Sequence, residues 1–145
     1  FVTVQDIENG FVNSRQHSKP KTMSWEQIAE LQKMGHVIGS HALTHPNLAK
    51  SQPFEIKEEL ERSKKILESK LNAKVDFFAF PYGAVRDISD EARLIAKEIY
   101  DFNFTFVSGK NDFDSADRSF IKRTGVRPDF STYHLLALMS GMNDF

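Results

Sequence analysis

Short apolar segments alternate with amphipathic helical stretches from one end of this chain to the other, and that alternation restricts the fold more than any other feature. F1-V-T-V4 alternates like a strand. S24-W-E-Q27 is a capping box, Ser followed three residues later by Gln, and opens a helix through Met34. Trp25, Ile28 and Leu31 recur there at helical spacing, and Gly35 stands just past the end. H36-V-I-G39 is short and apolar, the pattern of a buried strand. The longest helix spans 53–71, with Pro53 in its first turn and one apolar face of Ile56, Leu60, Ser63 and Leu67. Glu58 with Arg62, and Glu61 with Lys65, stand four apart on the other face, which reads as a solvated face.

The second half repeats the scheme. V75-D-F-F-A-F80 reads as a strand broken by P81-Y-G83, and Ser89 caps a helix carrying Ala92, Ile95, Ala96 and Ile99. F102-N-F-T-F-V107 and I121-K-R-T-G-V126 read as strands, and Ser131 or Thr132 starts a last helix through Met139. Strands separated by helices predict an α/β fold with a mainly parallel sheet. In such sheets ligands bind beyond the carboxyl ends of the strands.

The 145 residues fit one domain over 1–145, without an internal repeat or linker. Net charge is −1 and the pI about 6.6, which argues against a nucleic-acid partner or an anionic membrane surface. No apolar run approaches the roughly 20 residues of a membrane-spanning helix. The chain has no Cys, so a metal would have to take nitrogen or oxygen donors.

Two loops fall just after predicted strands: S40-H-A-L-T-H-P46 and F80-P-Y-G83. If 41–45 forms one helical turn, His41 and His45 share a face with Cβ atoms about 5–6 Å apart, close enough to share an ion. A catalytic zinc takes three protein ligands and an open position, so the pair needs a third ligand, typically a carboxylate. The zinc-peptidase reading fails, because the residue after the first His is Ala42 instead of the Glu base. The competing reading is two solvent-facing or capping histidines at a loop.

The stretch 35–46, G-H-V-I-G-S-H-A-L-T-H-P, resembles the second motif of the polysaccharide deacetylases, the NodB-type carbohydrate esterase family 4. That pattern is G-H-E-I-G-[SN]-H-[ST]-x-x-H-P, and only Val37 and Ala42 depart from it. M23-S-W-E-Q-I-A-E-L-Q-K-M-G35 resembles the helix before that motif, and F77-F-A-F-P-Y-G-A84 resembles the third motif. The similarity runs to about Gly109 and more weakly to Arg127; F120-I-K-R-T-G-V126 is similar to the late strand of poly-N-acetylglucosamine-type members.

The resemblance implies an incomplete, irregular (β/α) barrel. It implies hydrolysis of N-acetyl groups on amino sugars of a glycan, releasing acetate, with a divalent metal, zinc foremost. By match, His41 and His45 are metal ligands, the backbone N–H of Tyr82 is an oxyanion donor, and Phe80, Pro81 and Tyr82 contact substrate. It further implies work at the cell envelope, periplasmic or extracellular. His36 matches a non-ligand position and reads as a hydrogen-bonded structural histidine; His17 and His134 have no supporting motif.

The match also breaks. The family's T-F-D-D motif, source of the base and the third ligand, is not in the sequence, and Asp6 in V-Q-D-I does not replace it. Ala79 stands where many members carry an Arg, for which Arg123 or Arg127 is a substitute cation. L135-L-A-L138 lacks the His of the late L-x-H motif. D112-F-D-S-A-D117 lacks the glycine and closing Glu of an EF-hand and reads as a loop. Phe1 in place of Met, in what reads as mid-strand, leads to the expectation of a longer parent with the Asp-Asp motif upstream, the present chain alone being nearly inactive. The alternative is a catalytically degenerate carbohydrate-binding or structural module. Exposed sheet edges would also favour a homo-oligomer.

Overall fold

The computed structural model describes residues 1–9, 22–112 and 117–140. In chain order the helices and strands are α1 (Val4–Glu8), α2 (Trp25–Lys33), α3 (Pro53–Leu71), β1 (Phe77–Ala79), α4 (Asp90–Ile99), β2 (Phe102–Phe104) and α5 (Thr132–Ser140). Single 3-10 turns lie at Leu48–Lys50 and Val85–Asp87.

The sheet is parallel and built from very short rungs. Val2 pairs with Ser40, Ser40 with Phe78, β1 with β2, and Phe104 with Ile121, all in parallel. Each new segment therefore lies beside the one before it in sequence, the order of a sheet that winds in one direction. This is the expected parallel α/β arrangement; the described residues do not close it into a barrel.

All five strand expectations shrink: β1 keeps Phe77–Ala79 of 75–80 and β2 keeps Phe102–Phe104 of 102–107. Residues 1–4 contribute only the rung at Val2, because the chain turns helical at Val4. Val4 and Ile7 lie one helical turn apart and both pack on the core, so the apparent alternation of F-V-T-V hides an i,i+3 pair. The segment 36–39 is not a buried strand: Val37 is 70% exposed, and pairing is confined to Ser40. The segment 121–126 is reduced to the bridge at Ile121.

The helices follow their signals closely. Ser24 Oγ accepts from Gln27 N–H, and Gln27 Oε1 accepts from Ser24 N–H, which completes the capping box of α2. In α3, Pro53 sits at the start, Ile56, Leu60, Ser63 and Leu67 are buried, and Asn72 ends the helix in the left-handed region. The Glu58–Arg62 pair forms at 2.9 Å, but Glu61 pairs with Lys57 at 3.7 Å, in place of the expected Lys65. Ser89 caps α4 through Ala92 N–H at 3.1 Å. α5 forms as expected but buries none of its residues.

Helices cover one face of the sheet. Phe78 and Phe80 point into that core with Ile28, Ile56, Leu60, Leu67 and Tyr100. At its centre Ser40 Oγ and Ser63 Oγ lie 2.6 Å apart, and Tyr100 O–H donates to the Leu60 carbonyl at 2.9 Å. Neighbouring strand residues face the other way. There Phe77 stacks on Phe102 at 4.9 Å, and Phe1 lies 5.3 Å from Phe104.

Candidate metal centre

Both expected loops do leave the sheet side by side. Ser40 N–H donates to the Phe77 carbonyl at 2.8 Å and Ala79 N–H to the Ser40 carbonyl at 2.9 Å, so the residue after Ser40 and the residues after Ala79 emerge together. His41 is anchored at that exit: its Nδ1 lies 2.7 Å from the Ala79 carbonyl oxygen. Because a carbonyl only accepts, Nδ1 carries the proton and Nε2 keeps its lone pair. The ring of His45 lies 4.7 Å from that of His41 and 4.8 Å from that of Tyr82, edge to face in both cases.

The backbone that achieves this is strained. Among the described residues the non-glycine positions at positive φ are Ala42 (67°), His45 (62°), Asn72 (48°) and Tyr82 (61°). Asn72 is an ordinary helix cap; the other three surround the histidine pair. A residue with a Cβ in this region costs roughly 1–3 kcal/mol and persists only where its surroundings enforce it. Here Gln5 N–H donates to the Leu43 carbonyl at 2.9 Å, and Glu59 of α3 accepts from Leu43 and Thr44. Beyond the pair, Leu48 is fully buried, and Asn47 Nδ2 donates to Asp87 Oδ1 at 2.8 Å, tying one loop to the other.

His41 is half-buried, and its pKa falls from 6.5 to about 4. Burial is the main cause, nearby positive charge including that of Arg123 acts the same way, and the Ala79 hydrogen bond opposes them. The ring is therefore neutral at pH 7, the form that coordinates metals. Arg123 contributes the weakest of these charges. It is held by Nε donation to the Thr105 carbonyl at 2.8 Å, with its guanidinium 5.0 Å from the Phe1 ring. Arg127, the other candidate cation, pairs with Asp129 at 2.8 Å in the open.

In F80-P-Y-G83 the side chains divide. Phe80 and Pro81, expected to contact substrate, are buried, whereas Tyr82 is 58% exposed. Phe80 packs edge to face on Phe78 at 5.0 Å, so it supports the loop from beneath. Its N–H goes to the Phe104 carbonyl and that of Gly83 to the Pro81 carbonyl. Proline has no N–H, so the amide of Tyr82 is the donor left in the loop.

The family model described as polysaccharide deacetylase matches residues 1–100. The chain belongs to the polysaccharide deacetylase family. A Bacillus subtilis (strain 168) relative, the uncharacterized protein YlxY, is 33% identical over 73 residues, covering 47% of this chain and 23% of that protein. The fold is similar to that of the Streptococcus pyogenes deacetylase PplD, solved in complex with acetate, at a TM-score of 0.78 and 23% identity, over 94% of this chain and 56% of that one. It is also similar to a Bacillus cereus polysaccharide deacetylase, at 0.70 and 25% identity, over 82% of this chain and 37% of that one. A Bacillus anthracis pseudoenzyme of carbohydrate esterase family 4 is related at 0.52 and 19% identity, over 83% and 46%. The chain thus spans between about a quarter and just over half of the length of these relatives.

Polysaccharide deacetylases imply a divalent ion, and the residues present fit part of its shell. A neutral imidazole with Nδ1 bonded to a backbone carbonyl is the usual arrangement of a metal-ligating histidine. Two imidazoles meeting edge to face supply two nitrogen donors. Among the described residues no group of three His, Cys, Asp or Glu is placed to hold an ion, so nothing there completes a three-ligand shell around the two histidines. Asp6 lies in α1 and belongs to no such group among the described residues.

The other histidines are elsewhere. His36 is exposed, which corrects the expectation of a buried structural histidine. His134 caps α5, accepting from Ser131 N–H at 3.2 Å. His17 and most of the 112–117 loop lie outside the described residues.

Sequence reasoning found the two loops but missed Glu59, hidden in a run of charge, and the Asn47–Asp87 tie. The only available signal for Asn47 was its position after the H-P pair, where Asn readily caps a turn.

Proposed function

We propose that this chain carries the two-histidine half of the metal site of a deacetylase that removes N-acetyl groups from the amino sugars of an envelope glycan. The observation that carries this reading is the pair itself: His41 and His45, 4.7 Å apart, with His41 Nδ1 fixed on Ala79 so that Nε2 is left for an ion. When bound, a divalent ion such as zinc polarises the amide carbonyl and lowers the pKa of water.

In this reading His41 and His45 hold the ion. The N–H of Tyr82 donates to the oxygen that gains negative charge as the acetamide carbon is attacked, a role for a fixed backbone donor. The exposed Tyr82 ring borders the sugar. The products are acetate and a free amine. No residue of this chain is assigned the base.

The test is zinc content by mass spectrometry on the purified chain, with His41→Ala and His45→Ala beside it, followed by acetate release from N-acetylglucosamine oligomers. Near one zinc per chain, lost in both variants, supports the site. Equal zinc in all three, or in none, removes it. Sedimentation tests the accompanying expectation of self-association through sheet edges.

A second reading, a domain that holds glycan without chemistry, is favoured by the lack of a third ligand among the described residues. It expects sugar affinity, unchanged by His41→Ala, and no acetate.

A further inference from the structure

One acidic residue of α3 turns away from water toward the histidine loop. Glu58 and Glu61 are more than half exposed and pair with Arg62 and Lys57 along the helix. Glu59 is half-buried, and its carboxylate turns to the loop carrying the two histidines. Oε2 accepts from Leu43 N–H at 3.0 Å and from Thr44 N–H at 2.9 Å, and Oε1 accepts from the Thr44 hydroxyl at 2.7 Å. All three donors lie between His41 and His45.

We propose that Glu59 is the positioning residue of the histidine turn: its carboxylate holds Leu43 and Thr44 so that His45 is presented to His41 for a shared divalent cation. This rests on the metal reading above and goes further, since it assigns the affinity of the pair to a residue that touches neither ring. The turn needs such a clamp. Ala42 and His45 flank the three donors in the left-handed region, at φ 67° and 62°, where a chain with side chains does not stay unaided. Hydrogen bonds to a carboxylate are the strong kind, and three converge on one group. On the opposite side of the turn the bond is a neutral one, Gln5 N–H to the Leu43 carbonyl. Rigid α3 carries the clamp, anchored in the core through Leu60 and Ser63.

The test uses Glu59→Ala and Glu59→Gln with two readouts. The first needs no metal: amide hydrogen exchange at Leu43 and Thr44, and contacts between the two imidazole rings, by NMR. The second is Co²⁺ titration followed by visible absorption. In Glu59→Ala the two amides are expected to exchange at least tenfold faster, with the amides of 60–67 unchanged, and the ring contacts to fade. Co²⁺ affinity should fall by about ten- to a hundredfold, the range seen when groups that orient metal ligands are removed. Glu59→Gln keeps one acceptor oxygen and should fall between. Wild-type exchange in Glu59→Ala overturns the proposal, as do loosened amides with undiminished Co²⁺ affinity and an unchanged spectrum. If the wild-type chain takes up no Co²⁺, the metal reading fails by itself, and the amide and ring measurements alone decide Glu59.

Discussion

His41 Nδ1 lies 2.7 Å from the carbonyl oxygen of Ala79, so one parallel rung of the sheet dictates the tautomer of a histidine in the next loop. The bond joins residues 38 apart in sequence and exists only because Ser40 and β1 pair in register.

Burial and nearby positive charge lower the His41 pKa to about 4, which gives stability a defined acid limb. The unfolded chain takes up this proton near pH 6.5, but the folded chain resists it. Stability is therefore full above pH 6.5 and falls as the pH drops toward 4, by a few kcal/mol at about 1.4 kcal/mol per unit. Urea midpoints between pH 4 and 7 should show this limb in the wild type and a shallower one in His41→Gln.

A zinc ion held by the folded chain alone should raise its melting temperature. At a hundred times the dissociation constant the gain is about 2.7 kcal/mol. Thermal scans with and without EDTA should show the shift in the wild type and none in His41→Ala or His45→Ala. The shift should also weaken under acid, since protons compete for the same nitrogens.

Ser40 and Ser63 share one buried hydrogen bond of 2.6 Å. Replacing either with Ala removes this bond and leaves the other hydroxyl only the Tyr100 hydroxyl as a partner, at a cost of roughly 1 kcal/mol. Replacing both removes donor and acceptor together, so the double variant should be less damaged than the sum of the singles by about 0.5 kcal/mol or more. Strict additivity in chemical denaturation would show that the pair is not coupled.

Gly83 sits at φ +73°, and a Cβ there would stand 2.7 Å from Phe106 N. Gly83→Ala should destabilise by about 2 kcal/mol, a drop of roughly 5–10 °C in melting temperature, and should displace Tyr82. An unshifted melting temperature would mean that the loop after β1 adapts freely.

Much of this was legible in the residues. Helix signals are local, and Ser24 with Gln27, Pro53 and Ser89 each marked a boundary that the structure keeps. Strand length was not local. Val37 looks like a core residue until pairing, decided by Phe77 and Val2 far along the chain, confines the rung to Ser40. The histidine pair was visible by spacing, and the loops' placement by the strands before them. Glu59 was not, because an acidic residue among lysines and glutamates looks the same whether it faces water or closes a turn. The difference arises only when α3 is laid beside residues 43–44.

The left-handed backbone at His45 also makes the position a recorder of selection. Glycine or asparagine would rest there more comfortably than any imidazole. A library of this chain passaged for folding alone, with nothing rewarding the site, should exchange His45 for glycine or asparagine early; one passaged for metal capture should hold its histidine against that gradient. The discomfort of one residue would thus distinguish a working lineage from an idle one.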